Sequence, residues 1–424
     1  MPIVYVKDRS NNIIHIEESF SSLIWTERYQ DDGEFEIDLP LKIANREAYQ
    51  KGNYVIMDDS DFTMLIETIE NTDDDSTLKV SGRTLSCILD RRVTASKVIT
   101  LRSGPVKYSG DYESVVSKIV KDDITESYVE YYDYEHYDED TGNWEEGYGP
   151  GTNTKNRLVR KTRSAPERVI PNFVYENEVT GVTIDKSIDK VTSIHDIIVK
   201  FSKAYITGFR IDLDSYGKFI FKTYKGHDRT GVEKEYRPVF FGPSMDNVIY
   251  VNSFDDETDY KNVVLVVQDK DEEGTEEDPL PNRDPAYGFY NRSLTDASNI
   301  SGLDRREVCV EGETPTESTT TGPTDGPPEE TLSVEEARIA AAEKAFDSED
   351  YDRIKTTEGA IDPLVQYKLG IDYNIGDLVR IESWTGEYSI SLIDEVVRSY
   401  DDSGYTVTPN FKSMDDYDYG EEDE

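Results

Sequence analysis

The sequence predicts a mainly β chain with α+β insertions: two similar small β-barrels plus connecting α/β domains. Three observations predict it. Short strand-like runs bounded by Gly, Asp and Pro cluster at both ends of the chain. Helical spacing of apolar residues occurs at only a few places between them. The two strand clusters also resemble each other, the mark of an internal repeat.

The first cluster, residues 1–93, reads as an N-terminal β-barrel domain. Ile3-Val4-Tyr5-Val6 and Leu23-Ile24-Trp25 are short apolar strands. From Gly33 to Leu39, acidic and apolar residues alternate, which puts Phe35, Ile37 and Leu39 on one face of a half-buried strand. Pro40 ends it. Leu41 to Tyr49 reads as a short helix. Tyr54–Met57 and Phe62–Ile69 flank the polar turn Asp58-Asp59-Ser60-Asp61, a hairpin signature. Leu78–Arg83 is a further strand, and Leu85–Leu89 begins a helix that Asp90-Arg91-Arg92 stops.

Residues 94–235 read as an α+β inserted domain with an acidic, Tyr-rich loop. Val115, Val116, Ile119 and Val120 lie at helical spacing, as do Ile194, Ile197, Ile198 and Phe201. Glu126 to Tyr148 reads as an exposed hairpin or loop in preference to a sugar-binding surface. Phe209–Asp214 and Lys218–Phe221 flank Ser215-Tyr216-Gly217, where the glycine supplies the turn. Asp212, Asp214 and Gly217 do not make a calcium loop, because Tyr216 and Thr223 stand where oxygen-rich ligands and a terminal Glu are needed.

Residues 236–310 and 360–412 are expected to form the second barrel and its neighbour. Residues 311–330, rich in Thr, Gly and Pro, read as a flexible linker. Residues 331–350 read as a helix, with Ser333 as cap and Glu336 three residues later. Residues 413–424 are an acidic tail.

The repeat matches Gly52-Asn53-Tyr54-Val55 with Gly376-Asp377-Leu378-Val379. Ile66 and Ile69 then match Ile393 and Val396, and equal spacing pairs Val80 with Val407. Asp74-Asp75-Ser76 aligns with Asp401-Asp402-Ser403, a turn in both copies. The hairpin of the second copy is longer. Three such chains in a ring would present six similar units to a six-fold partner.

The net charge is −43, from 89 acidic and 46 basic residues. That excludes a protein that grips DNA by its phosphates, which takes clustered Lys and Arg. It suits a wall that DNA slides past, since acidic groups repel the duplex. No run approaches the ~20 apolar residues of a membrane helix, and the N-terminus carries no signal segment. Cys87 and Cys309 read as buried free thiols. Four scattered histidines and no Cys-x-x-Cys point away from zinc.

At these same residues the sequence resembles the tail hub, or tail-tip, proteins of siphophages. The N-terminal likeness runs through Trp25-Thr26-Glu27-Arg28-Tyr29, Gly33–Ile37, Ile66–Ile69, Val80–Leu85 and Leu89-Asp90-Arg91-Arg92-Val93. The C-terminal one runs through Tyr367–Val379, Ile393–Val396 and Thr408–Phe411, with a weaker middle match at Gly226–Thr230 and Asn262–Val264. The positions that carry it are Trp25, Gly33, Gly82, Arg83, Arg91, Arg92, Gly376 and Asp377. The resemblance implies a homotrimer with hub-type barrels that closes the distal end of the tail tube in the virion. Its implied partners are the distal tail protein ring, the tape-measure protein and tip fibre or receptor-binding proteins. DNA would pass through the lumen without tight binding. It implies that Arg91-Arg92 is a structural, interface-facing pair. The chain would be made in the host cytoplasm, and its short end after the second barrel suggests the bare hub form.

No catalytic residue, cofactor or metal ligand is singled out. His195-Asp196 is a dyad in sequence only, and a surface or capping histidine is the preferred reading. There is no Gly-x-Ser-x-Gly and no phosphate-binding glycine loop. The alternative is a tail-associated wall hydrolase or glycan-binding tip protein, using the tyrosines at 128–137 and Trp144 as a sugar platform. Clearing of host cell walls in zymography separates the two.

Overall fold

A computed structural model describes residues 2–72, 76–96, 106–138, 140–147, 155–188, 192–232, 235–268, 287–312, 334–346, 349–361, 367–384 and 386–414. They fall into two compact units. One comprises Met1–Tyr132, Arg160–Ser253 and Thr356–Glu424, the other Asp133–Val159 and Phe254–Lys355.

The first unit opens with β1 (Val4–Lys7), β2 (Ile13–Glu17), β3 (Ser22–Arg28), β4 (Glu34–Pro40), α1 (Ile43–Ala48), β5 (Tyr54–Met57), β6 (Met64–Thr72) and β7 (Thr77–Thr84). Alternation works as predicted in β4: Phe35, Ile37 and Leu39 are buried, and the acidic residues between them are not. They pack with Trp25, Tyr49, Val55, Ile66 and Val80 in one core. Gly82 is fixed by β6, because a Cβ there would stand 1.8 Å from the Leu65 carbonyl oxygen.

Along the chain follow β8 (Val106–Asp111), α2 (Tyr112–Val120), β9 (Tyr128–Asp138), β10 (Asn143–Glu146), β11 (Asn156–Ser164), β12 (Phe173–Tyr175), β13 (Thr183–Ile188), α3 (Ile194–Tyr205), β14 (Gly208–Leu213) and β15 (Phe219–Tyr224). The apolar stripes of α2 and α3 meet Leu85, Phe209 and Phe221 in a second core of the first unit. The Tyr-rich segment is a strand pair, β9 on β10. Asp214 makes the β14–β15 turn by accepting the N–H groups of Tyr216 and Lys218 at 2.8 Å each, with Gly217 at φ +78°.

The remaining strands are β16 (Phe240–Phe241), β17 (Val248–Asp256), β18 (Val263–Val267), β19 (Tyr287–Asn291), β20 (Glu307–Glu311), β21 (Ile354–Ile361), β22 (Leu378–Glu382), β23 (Tyr388–Asp401) and β24 (Gly404–Ser413). In the second unit β19, β18 and β20 form a three-stranded sheet. Val264, Val266 and Tyr290 pack there against Ala342 and Ala345 of α4 (Val334–Phe346). Ser333, most of the 311–330 linker and the tail beyond Met414 lie outside the described residues.

The chain is mainly β, as the sequence predicts, but the strands do not close into barrels among the described residues. One thirteen-stranded sheet runs β17-β21-β24-β23-β3-β4-β7-β6-β5-β1-β2, with β22 and β16 branching from β23. β3 instead pairs along its outer edge with β23 and fuses the two clusters into one sheet. A second correction concerns the thiols. Cys87 is buried and free, its pKa pushed up to about 12 chiefly by burial. Cys309 is also free but exposed, because β20 alternates and turns Val308 and Val310 toward the core instead.

The internal repeat is present in three dimensions. Gly52 and Gly376 both take left-handed φ, +87° and +92°. The Gly52 N–H donates to the Ile66 carbonyl at 2.8 Å, and the Gly376 N–H to the Ile393 carbonyl at 2.8 Å. Ile66 N–H returns to Asn53 and Ile393 N–H to Asp377, both at 3.0 Å. Each copy then breaks register at the next residue, Glu67 in β6 and Asp394 in β23, a β-bulge at the same place. The expected pairing of Val80 with Val407 is off by two. Val80 lies opposite Ile69, whereas Pro409 lies opposite Val396 and Val407 opposite Arg398. The β23–β24 arms run further before turning, so equal spacing in sequence does not mean equal register.

Candidate functional site: the junction between the repeats

β3 and β23 run antiparallel from Arg28 opposite Glu395 to Leu23 opposite Tyr400. Arg28 ties three segments together. Its Nε donates to Glu395 at 2.6 Å, Nη1 to the Asp32 carbonyl at 2.8 Å and Nη2 to Glu34 at 2.8 Å. Beside it Arg398 of β23 meets Glu27 of β3 at 2.5 Å, with both side chains buried. Ser60 Oγ donates to Glu27 at 2.5 Å and accepts from Trp25 Nε1 at 3.1 Å. Trp25 itself is fully buried, 5.9 Å from the Phe35 ring.

Gly376 and Asp377 form a second polar centre. Asp377 is buried and accepts from the His227 N–H at 2.8 Å, Arg229 Nε at 2.6 Å and the Asn374 N–H at 2.9 Å. It therefore joins the middle match, Gly226–Thr230, to the C-terminal one. Tyr29 stands between them, fully buried, its hydroxyl accepting from the Gly226 N–H at 3.1 Å. A Cβ on Gly208 or on Gly376 would come within 2.3 Å of its ring. Burial raises the Tyr29 pKa well above the phenol range, so the hydroxyl is neutral. In the sequence Tyr29 stands out only as part of a longer match, and Gly208 does not stand out at all. The available signal was a glycine opening an apolar strand, which marks a close approach.

Arg83 chelates Glu67 through Nε at 2.7 Å and Nη2 at 3.2 Å, and reaches Asp32 at 3.3 Å. Gly33 lies at the same place: its N–H donates to Thr84 Oγ1 at 3.0 Å, and a Cβ would stand 2.2 Å from the Thr26 carbonyl oxygen. Arg92 spends its donors on the carbonyls of Arg168 and Arg91, at 2.7 and 2.8 Å, while Arg91 is exposed.

His195 is neither a surface residue nor a cap. It sits in the first turn of α3 with its side chain largely buried, and Nε2 lies 3.2 Å from Asp32 and 3.5 Å from Asp31. Its sequence neighbour Asp196 is farther, at 3.8 Å. Burial works against the charged ring, but Asp32, with Asp31 and Asp196, outweighs it and raises the pKa above the usual 6.5. A raised folded pKa means that this stabilisation is complete below the unfolded value and disappears as pH rises through the folded one. The unfolding free energy should therefore fall with rising pH from about 6.5 upward. His195→Asn should flatten that part of the profile in denaturant titrations at several pH values; an unchanged profile would place the titration elsewhere.

A cleft of about 820 Å³ opens beside the junction, lined by both signs of charge, among them Asp59, Glu176, Lys222, Lys368 and Arg398. Arg398 and Lys222 are already paired, with Glu27 and Asp212. Among the described residues no group of three or more His, Cys, Asp or Glu side chains is placed to hold a metal ion, and no helix is long and apolar enough to cross a membrane. On the Tyr-rich hairpin, Arg157 lies 4.1 Å from the Trp144 ring centre and covers one face of it.

The mainly β fold built around this shared sheet is similar to that of a solved phage tail protein. The chain matches the family described as Siphovirus ReqiPepy6 Gp37-like protein over residues 3–411, and it belongs to that family. Among solved structures it is similar to the 43 kDa tail protein of prophage MuSo2 from Shewanella oneidensis. That match has a TM-score of 0.50 at 12% identity and covers 97% of this chain and 98% of the other. A tail protein from Neisseria meningitidis MC58 matches with TM-score 0.49 at 11% identity, over 98% of this chain and 97% of that one. The prophage tail protein gp18 from Listeria monocytogenes gives 0.43 at 10%, over 97% and 94%. No curated protein matches.

Proposed function

We propose that this phage tail protein is the hub that closes the distal end of a siphophage tail tube, a homotrimer through whose lumen DNA is ejected. The observation that supports it most is the repeat. Two copies of one bulged hairpin, with the same left-handed glycine and the same hydrogen bonds, stand in a single chain. Three chains around an axis would offer six similar units, the way a trimer fits a six-fold tube with closed symmetry. The distal tail ring, the tape-measure protein and tip fibres or receptor-binding proteins are the neighbours of such a hub in the virion. The net charge of −43 suits a channel that does not hold its DNA. The hub assigns no catalytic step to the chain and no cofactor.

Light scattering over a range of protein concentrations tests it. The expected result is a particle of three times the 48.4 kDa chain mass. A stable dimer or tetramer would overturn the trimer, because neither offers six units.

A further inference from the structure

We infer that the bare edge of β17 docks on the second half of β6 in another copy of this chain, repeating between chains the junction that β3 and β23 make within one. The argument rests on the equivalence of the two copies. In the second copy, β23 carries β24 along one side. Its other side is shared: residues Tyr388–Leu392 take β22, and Glu395–Tyr400 take β3. In the first copy, β6 carries β7 along one side. On its other side Met64 and Leu65 take β5. Thr68 to Asn71, the equivalents of the residues that β3 covers, pair with no strand there among the described residues.

The complementary half is at the end of the sheet. Outward from β6 the order is β7, β4, β3; outward from β23 it is β24, β21, β17. β17 thus holds in the second copy the place that β3 holds in the first. The far edge of β3 lies on β23, and the far edge of β17 lies on nothing described. A bare edge presents unpaired N–H and C=O groups, which proteins cover or blunt with charge. Here Ile249 and Tyr250 are 63% and 40% exposed instead. On the receiving side Ile69 is half-buried, whereas its equivalent Val396, with β3 alongside, is fully buried. One junction is complete within the chain; the two halves of the other are exposed at different places on the same chain.

Each chain then gives one edge and receives one, a head-to-tail contact that closes into a ring when the rotation allows. This deepens the trimer reading, which supplies the number of chains; the strand contact itself is a separate claim.

The test is disulfide trapping in the full chain, with the exposed thiol removed by Cys309→Ser. Ile249→Cys is combined in turn with Thr68→Cys, Glu70→Cys and Asn71→Cys, all at exposed positions. At least one pair should give linked multimers ending at the size found by light scattering. Mixing the corresponding single variants should give linked pairs and nothing larger. Ile249→Lys, with its circular dichroism unchanged, should shift the particle toward monomer. A trimer that none of these pairs links, or that Ile249→Lys leaves intact, overturns the strand contact and leaves the trimer standing. Chains that stay monomeric and unlinked at every concentration overturn both.

Discussion

Replacing Arg398 by alanine is expected to cost about 3–5 kcal/mol of unfolding free energy, since it leaves a buried carboxylate without its partner. Glu27 and Arg398 stand 2.5 Å apart, both almost excluded from solvent. Glu27 has Ser60 as its second partner, but a hydroxyl cannot neutralise it. Asp59, 3.7 Å from Arg398, would add repulsion once the guanidinium is gone. Burial works against the charge on Arg398, and Glu27 outweighs it and raises the pKa. The pair therefore behaves as a unit: Glu27→Gln with Arg398→Met should recover most of the loss, because a neutral, well-packed pair has no desolvation to offset. The measurement is the denaturant midpoint of the single and double variants. A loss under about 1 kcal/mol for Arg398→Ala would mean that the pair is solvated like a surface bridge.

Local order was legible and long-range order was not. Period-two alternation found β4, and the turn residues found both hairpins, because each depends on neighbours a few positions away. The repeat was legible because a left-handed glycine followed by a bulge leaves a mark in sequence at Gly52 and Gly376. Its register was not, since each arm of β23–β24 gains two residues while the turn loses two, which moves the partner of Val396 from Val407 to Pro409. The fusion of the two clusters into one sheet was invisible for a different reason. Nothing in Leu23-Ile24-Trp25 says whether its outer edge meets solvent or a strand some 370 positions away. Asp377 shows the same limit: its motif was readable, but its partners, His227 and Arg229, are brought to it only by the fold.

Tyr29→Ala should cost about 3–5 kcal/mol, the usual loss for emptying a fully buried aromatic site. It would also strand the Gly226 N–H, whose acceptor is the phenol oxygen. The informative experiment pairs it with a glycine beside the ring. Gly208→Ala places a Cβ 2.3 Å from the Tyr29 ring, with Cζ of Tyr224 next at 2.9 Å. Alone it should cost about 1–3 kcal/mol by overpacking. With Tyr29→Ala in place the methyl enters the vacated space, so the double variant should lose less than the sum by at least about 0.5 kcal/mol. Gly82→Ala is the contrast. Its Cβ would strike the Leu65 carbonyl oxygen at 1.8 Å, a backbone atom in a different core from Tyr29. That pair should add without relief. If Tyr29→Ala and Gly208→Ala instead add fully, the ring is not what keeps residue 208 a glycine.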